Sequence, residues 1–482
     1  MTVSSIASVH RGSRWAVLTL ILAAQFMVVL DMSIVNVALA AIKSDLHFSD
    51  AGLQWVISGY ALTFGGFLLL GGRLSDLLGR RRLFIAGLVL FTVMSALSAL
   101  SWSPAALVAF RSIQGVGGAL FAPAGLSLLM TRFAEGHDRN LALGLWGAAS
   151  GSGAAVGVLL GGILTSALNW PWVFYINVPV GIAVVALAPR FLAESRAEGL
   201  GRHFDVAGAS TVTGSTMAFV FALTKATTDG WASSVTVSAL VASAALAAAF
   251  VAIERRAPSP LLPLAAFRGT TLGIGTFITA VIASVGFAQF FLLTLYLQQV
   301  LHYSAMQAGA AFTAIAVGVA LMSNVAQRFV GRLGARPVLA VGLLLMAASQ
   351  ALYVRLPVDG HYVTDLLPSF LLMGVGLGTS FVAVTIASLA GTCPQHAGVA
   401  SGLVNTSRQV GGAVGLAAAA TLASSVAGNS PTLADTVRGD HVVFGVLAVL
   451  ALAAAALAPA LRPHRERVTH TDNVPVALEE AA

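Results

Sequence analysis

Three ionisable residues stand deep inside apolar stretches of this sequence. They are Asp31 in "LDMSIVNVAL" (30–39), Arg111 in "RSIQGVGGALFAPA" (111–124) and Arg408 in "GLVNTSRQVGGAVG" (402–415). A charge at membrane depth costs about 2.5–3.5 kcal/mol on insertion scales, and such residues are functional by default. The chemistry open to Asp31 is proton exchange. Burial favours the neutral acid and a nearby guanidinium favours the carboxylate, so a carboxyl held between these influences can take up and release a proton in a cycle. Arg111 is the expected partner that tunes it; a purely structural ion pair is the alternative. Arg408, beside Asn405 and Gln409, either binds an anionic group or satisfies backbone carbonyls. The remaining acids among the chain's 19 are expected in loops, tails or at span ends.

These residues need elements that cross a bilayer. The 482-residue chain is 57% hydrophobic and 9% charged, with mean hydropathy +0.88. Runs of about 20 apolar residues, the length that crosses the hydrocarbon core, recur almost end to end. The reading is an all-α integral membrane protein with fourteen spans, at 15–40, 52–72, 83–101, 105–131, 141–165, 172–192, 207–225, 232–253, 271–297, 307–330, 337–355, 365–391, 398–425 and 441–461. The first run has no convincing cleavage site and is read as a retained span, not a signal peptide. An even count puts both termini on one side. That side carries 20 of the 26 basic residues, including Arg80, Arg81 and Arg82, so both termini are expected in the cytoplasm. The net charge of +7 is thus explained by sidedness, and no nucleic-acid partner is expected.

Depth follows from the helical rise. Asp31 lies about 15 residues, or roughly 22 Å, from the cytoplasmic end of span 1. Arg111 lies about six residues, or roughly 9 Å, from the outer end of span 4. In a core about 30 Å thick these are the same level.

The chain also repeats. "RLSDLLGRRRL" (73–83) has an echo in "RFVGRLGARPV" (328–338) at an offset of 255, with Gly79 matching Gly334 and Asp76 replaced by Gly331. "GVGGAL" (115–120) is echoed by "GVGLGT" (374–379) at an offset of 259, where Arg111 becomes Phe370. Repeated halves with a central site mark secondary transporters.

At these residues the sequence resembles a known family. "GRLSDLLGRRRLF" (72–84) resembles the signature loop of the major facilitator superfamily, with Gly72, Asp76, Gly79, Arg80 and Arg81 in place. The segment around Arg111 is similar to a fourth-helix motif of proton-coupled members. "LDMSIVNVAL", "WPWVFYINVPVG" (170–181) and "GLVNTSRQVGGAVG" together resemble the fourteen-span drug:proton antiporter branch, over about residues 15 to 461. One departure is Val158, which stands in "GVLLGG" (157–162) where that branch carries proline, so no role rests on a proline kink there.

The resemblance implies a major facilitator fold: two six-helix pseudo-repeats, 15–192 and 271–461, plus two inserted helices within a linker at 193–270, with cytoplasmic tails at 1–14 and 462–482. It places spans 1 and 4 side by side on a central cavity, so an Asp31–Arg111 pair is expected. Asp76 would cap a short helix or pair with Arg80 or with neighbours of Arg111 on the cytoplasmic face, and the loop would lock the outward-facing state. Gly153, Gly157, Gly161 and Gly162 make a smooth face that the family uses for close packing between the two halves. Asn36, Gln54, Gln114, Asn177, Gln289, Asn405 and Arg408 are candidate cavity residues, with Gln298 and Asn324 as further polar positions; Asn36 is expected to bond across the cavity.

Function follows as expectation. The chain is read as a proton-coupled exporter of drugs or antibiotics: a monomer in a bacterial cell membrane, driven by protons acting on a small drug-like substrate. In this scheme protonation from outside weakens binding of a cationic or dipolar drug. Alternatives are a transporter dedicated to one metabolite, such as a self-made antibiotic, an amino acid or a sugar, or a transport-inactive sensor. No cofactor or metal is expected, since the ten histidines form no ligand-spaced cluster and Cys393 is the only cysteine. "GVGGAL" follows no strand and lacks the full dinucleotide spacing, no Walker sequence appears, and no constellation of nucleophile, base and metal suggests an enzyme.

Overall fold

In hydrocarbon every backbone N–H and C=O has to be satisfied within the chain, so long apolar stretches fold as helices. The computed structural model describes residues 3–48, 50–53, 55–134, 136–196, 205–257, 271–390, 397–428 and 432–461. Its long helices are α1 (Val3–Leu46), α2 (Trp55–Leu78), α3 (Arg80–Ala99), α4 (Pro104–Arg132), α5 (His137–Ala167) and α6 (Asn177–Phe191). Then come α7 (Val206–Asp229), α8 (Ser234–Glu254), α9 (Leu272–Leu295), α10 (Ala305–Leu333), α11 (Ala335–Tyr353), α12 (Leu367–Leu389), α13 (Ala397–Ala427) and α14 (Leu433–Leu457). No strand occurs among the described residues.

Among the described residues, thirteen segments are long and apolar enough to span a membrane. The expected fifth span lies in α5, a 31-residue helix that opens on the polar run His137–Asn140. Its apolar stretch Val156–Ala167 falls short of a span by itself. Outward-facing Val235, Val237 and Val241 on α8 and Val449 and Leu452 on α14 are exposed, as a lipid-facing surface requires.

The halves repeat in packing as well as in sequence. In the first half α2 packs on α4, α3 on α4, α1 on α5 and α3 on α6; in the second, α10 packs on α12, α11 on α12, α9 on α13 and α11 on α14. The halves meet along two seams, α2 with α13 and α5 with α10, and the α7–α8 hairpin rests on α2 and α13 beside the first.

Four boundaries differ from expectation. The tail expected at 1–14 is helical from Val3 onwards, as a continuation of α1. The signature "loop" is nearly all helix: α2 runs to Leu78, α3 starts at Arg80, and Gly79 alone makes the turn at φ +108°. Its echo behaves identically, with Gly334 at φ +85° between α10 and α11. Glycine visits this region without a Cβ penalty, so one residue suffices to reverse the chain. Finally Asp440, expected at a span end, lies inside α14 and is only 4% exposed. The C-terminal tail, 462–482, lies outside the described residues.

Candidate functional site

The centre of the first half is a fully buried polar network. Asp31 of α1 is 0% exposed and Arg111 of α4 is 1% exposed. Arg111 Nη1 donates to Asp31 Oδ2 at 2.6 Å and to Gln114 Oε1 at 2.8 Å. The other carboxylate oxygen, Oδ1, accepts from Gln114 Nε2 at 3.1 Å and Asn177 Nδ2 at 2.9 Å. Asn177 Nδ2 also reaches Ser95 Oγ at 3.0 Å, and Ser95 Oγ donates to Phe174 O at 2.9 Å. Charge-assisted hydrogen bonds of this kind are the stronger class.

Local sequence explains these positions. Gln114 follows Arg111 by three residues, which places both on one face of α4. Asn177 is the first residue of α6, which follows the helical turn Trp172–Tyr175 across Ile176, itself at helical φ −58° and ψ −27°. The guanidinium of Arg111 also lies 4.2 Å above the Tyr60 ring, 5.5 Å from the Phe174 ring, and its Nε donates to Val56 O at 3.4 Å. Sequence reasoning missed Tyr60, Phe174 and Ser95. The only available signal was Tyr60 itself, a polar aromatic inside an apolar run.

What this arrangement can do follows from its donors and acceptors. A proton arriving on Asp31 Oδ2 competes with the Arg111 Nη1–H that points at the same oxygen. Arg111 retains Gln114 Oε1, Val56 O and the Tyr60 face, while Oδ1 retains its two amide donors. The proton and the guanidinium thus compete for one oxygen: protonation removes the counter-charge of Arg111 while Oδ1 keeps its two amide donors.

The second half holds an uncharged counterpart. Gln289 lies 258 residues after Asp31, Gln350 lies 255 after Ser95, and Phe370 and Met373 lie 259 after Arg111 and Gln114. Gln350 Nε2 donates to Gln289 Oε1, and its Nε2 lies 3.9 Å from Met373 Sδ. The repeat has kept the place and lost both charges. Gln289 is thus part of a core amide pair, 2% exposed, and not an open cavity wall as expected.

At the arginine-rich end of the molecule the halves are latched. Asp76 of α2 accepts from Arg80 Nη2 at 2.7 Å and, across the seam, from the backbone N–H groups of Gly398 and Val399 at 3.1 Å each. It therefore pairs with Arg80 and caps a helix, as expected, but the helix is the 31-residue α13 of the other half. The backbones touch here: a Cβ on Gly72 would collide with Gly398 O, and one on Gly398 would lie 2.6 Å from Asp76 Oδ2. Arg81 and Arg82 donate their backbone N–H groups to Glu194 at 3.2 Å, and Arg81 Nη1 donates to Leu192 O at 3.2 Å, which ties the α2–α3 turn to the end of α6.

Other expectations need correction. Gly153, Gly157 and Gly161 do form a row, but it faces α1 of the same half. Their Cβ positions would press on Val29 at 3.0 Å, Leu30 O at 2.8 Å and Ile34 O at 2.8 Å, while Gly162 has nothing within 4 Å. The seam-facing side of α5 carries Val158 instead, against Gly309 of α10. Asn36 is exposed and donates back to Met32 O and Ser33 O of its own helix, and Asn324 does the same to Ala320 O. Gln298 is exposed at the end of α9, in the π-turn Tyr296–Val300. Gln54 lies outside the described residues. Asn405 and Arg408 are joined, Arg408 Nη2 donating to Asn405 Oδ1.

The chain is similar to several curated proteins. It is 39% identical to the puromycin resistance protein of Streptomyces alboniger, over 92% of this chain and 90% of that one. It is 38% identical to the cephamycin export protein of Amycolatopsis lactamdurans, over 92% of each chain. It is 37% identical to the tetracenomycin C resistance and export protein of Streptomyces glaucescens, over 88% of this chain and 78% of that one. Among solved structures, the human organic anion transporter MFSD10 matches in fold with TM-score 0.65 at 17% identity, covering 92% of this chain and 98% of that one. The sequence profile of the Major Facilitator Superfamily matches residues 21–416 and 286–478, and with the repeated halves, the latch and the buried network in place, this multi-pass membrane protein belongs to that superfamily.

Proposed function

We propose that this protein is a proton-coupled exporter of drug-like compounds, not an enzyme, working as a monomer in a bacterial cell membrane with its arginine-rich end in the cytoplasm. The observation that carries the coupling is the Asp31–Arg111–Gln114–Asn177 network, in which a fully buried carboxyl presents one oxygen to a guanidinium, so that a proton and Arg111 compete for it. The resistance and export roles named for the relatives support the direction and the substrate class. The positive-inside pattern supports the orientation.

In this reading the latch at Asp76 holds the cytoplasmic end closed and the site faces outward. Opening that end separates Asp76 from the α13 N-terminus and lets Asp31 release its proton inward. Six-helix bundles at 15–192 and 271–461 would rock about the two seams, with the linker at 193–270 riding on the first. A narrower version, a transporter dedicated to one antibiotic, is supported by the names of the puromycin and cephamycin relatives, whereas other relatives are named for multidrug resistance. A screen in inside-out vesicles, recording which compounds dissipate a preformed pH gradient, tests both. Many unrelated compounds support the broad reading, one supports the narrow reading, and none overturns proton-coupled export.

A further inference from the structure

Arg408 lacks the counter-charge that Asp31, Arg111, Asp76 and Arg80 have. It stands twelve residues into α13 and is half-buried. Among the described residues no carboxylate lies within ion-pair distance of it, and no backbone carbonyl accepts from it. Its partners are Asn405 Oδ1, which takes Nη2, and the ring of Phe381 on α12, whose centroid lies 5.3 Å from Cζ. Asn405 is held in turn by its bond to Ser401 O at 3.0 Å and is 1% exposed. The guanidinium is thus fixed along one edge and stacked on one face, with its Nε and Nη1 groups left without a partner among the described residues. A charge at this depth is costly unless something pairs with it.

The position is on the seam between the halves. Ser401, seven residues earlier and on the same face of α13, touches Met130 Sδ of α4 at 3.7 Å. Phe381 and Val382 abut α5, where a Cβ on Gly147 would lie 3.4 and 3.3 Å from them. Gln409, the next residue, faces Gly65 of α2. Arg408 is therefore bracketed by three helices of the first half, at the place that alternating access exposes to each side in turn. Counting helical rise from the Ser401–Met130 contact puts it about 18 Å nearer the arginine-rich end than Arg111. At that separation the network around Asp31 does not neutralise it.

We infer that Arg408 is the anchor for a carboxylate on the transported compound. A guanidinium presents parallel N–H donors that match the two oxygens of a carboxylate, and Asn405 leaves such an edge free. Phe381 offers an apolar face beside the charge, so the class that fits is an amphipathic organic acid: an anionic carboxylate next to a ring or fused ring system. This rests on the export reading and revises the cationic or dipolar substrate suggested by Asp31 alone. The anion and the proton then occupy separate sites, and coupling passes through helix positions rather than direct charge contact.

The test uses the full-length protein in phosphatidylcholine nanodiscs and three pairs of probes: benzylpenicillin, fusidic acid and nalidixic acid, each with its methyl ester. Affinity is read from the shift in thermal unfolding. The wild type is expected to bind at least one free acid about tenfold more tightly than its ester. Arg408→Gln is expected to bring that acid-to-ester ratio to about one, and Arg408→Lys to leave it in between. Unliganded Arg408→Gln is expected to unfold at or above the wild-type temperature, because an unpaired charge has been removed. Equal binding of acids and esters by the wild type, or a ratio unchanged in Arg408→Gln, overturns the assignment. So does loss of the acid preference when phosphatidylglycerol is added, which would assign the site to a lipid phosphate. Proton-coupled export is read separately in vesicles: an acid preference without pH-driven export retains Arg408's role and removes the transport cycle.

Discussion

Asp31 Oδ2 on α1 and Arg111 Nη1 on α4 lie 2.6 Å apart, 80 residues apart in sequence, with neither side chain more than 2% exposed. Each has further hydrogen-bond partners, Gln114 and Asn177 on the carboxylate and Gln114 and Val56 on the guanidinium, but no second charge.

Removing one member of the pair strands the other. Arg111→Gln leaves a buried carboxylate without its counter-charge and is expected to cost about 3–5 kcal/mol of stability. Adding Asp31→Asn should recover most of that loss, since amides can reproduce the hydrogen bonds without charge. Denaturation of the purified variants checks this, and the double variant should fold yet show no pH-driven export.

Asp76 is a charged cap shared between halves. Asp76→Ala removes acceptors for the Gly398 and Val399 N–H groups and the ion pair with Arg80, an effect of about 1–2 kcal/mol on the closed arrangement. The arginine-rich end should then open more often. Thiol labelling from that side of Ser401→Cys, in a background where Cys393 is replaced by serine, should proceed several-fold faster.

Gly72 and Gly398 make the closed contact sterically possible. Either substitution to valine places side-chain atoms where the opposite backbone now sits, so the end cannot close. The expected result is a folded protein with export reduced at least tenfold and a labelling pattern like that of Asp76→Ala.

The glycine row on α5 should govern stability, not leak. Gly157→Ala overlaps Ser33 and presses on Leu30 O within one half, an overpacking expected to cost about 1–3 kcal/mol. Bulk added at Gly309, which faces Val158 across the seam, should instead alter proton leak in vesicles without substrate.

Much of this is legible in the sequence, and the limits have physical causes. Counting rise along two spans placed Asp31 and Arg111 at one level, because an apolar helix in a bilayer of fixed thickness leaves little freedom in depth. Rotation about the helix axis is not fixed that way. Hence the faces of the glycine row and of Asn36 came out differently from expectation, although their spacing was clear. Contacts such as Asp76 with Gly398, 322 residues away, depend on which end of the bundle is closed, and no local pattern encodes that. Asn177 joins the network from the first turn of α6, and depth along that span does not say which face meets Asp31. Asp440 was misplaced because α14 begins well before its apolar run.

The claim that Asp31 carries the coupled proton is tested most directly in inside-out vesicles with an imposed pH gradient. The wild type should accumulate a transported compound and dissipate the gradient in proportion, while Asp31→Asn, reconstituted at equal density, should bind the compound and do neither. Gradient-driven accumulation by Asp31→Asn at the wild-type rate would contradict the account.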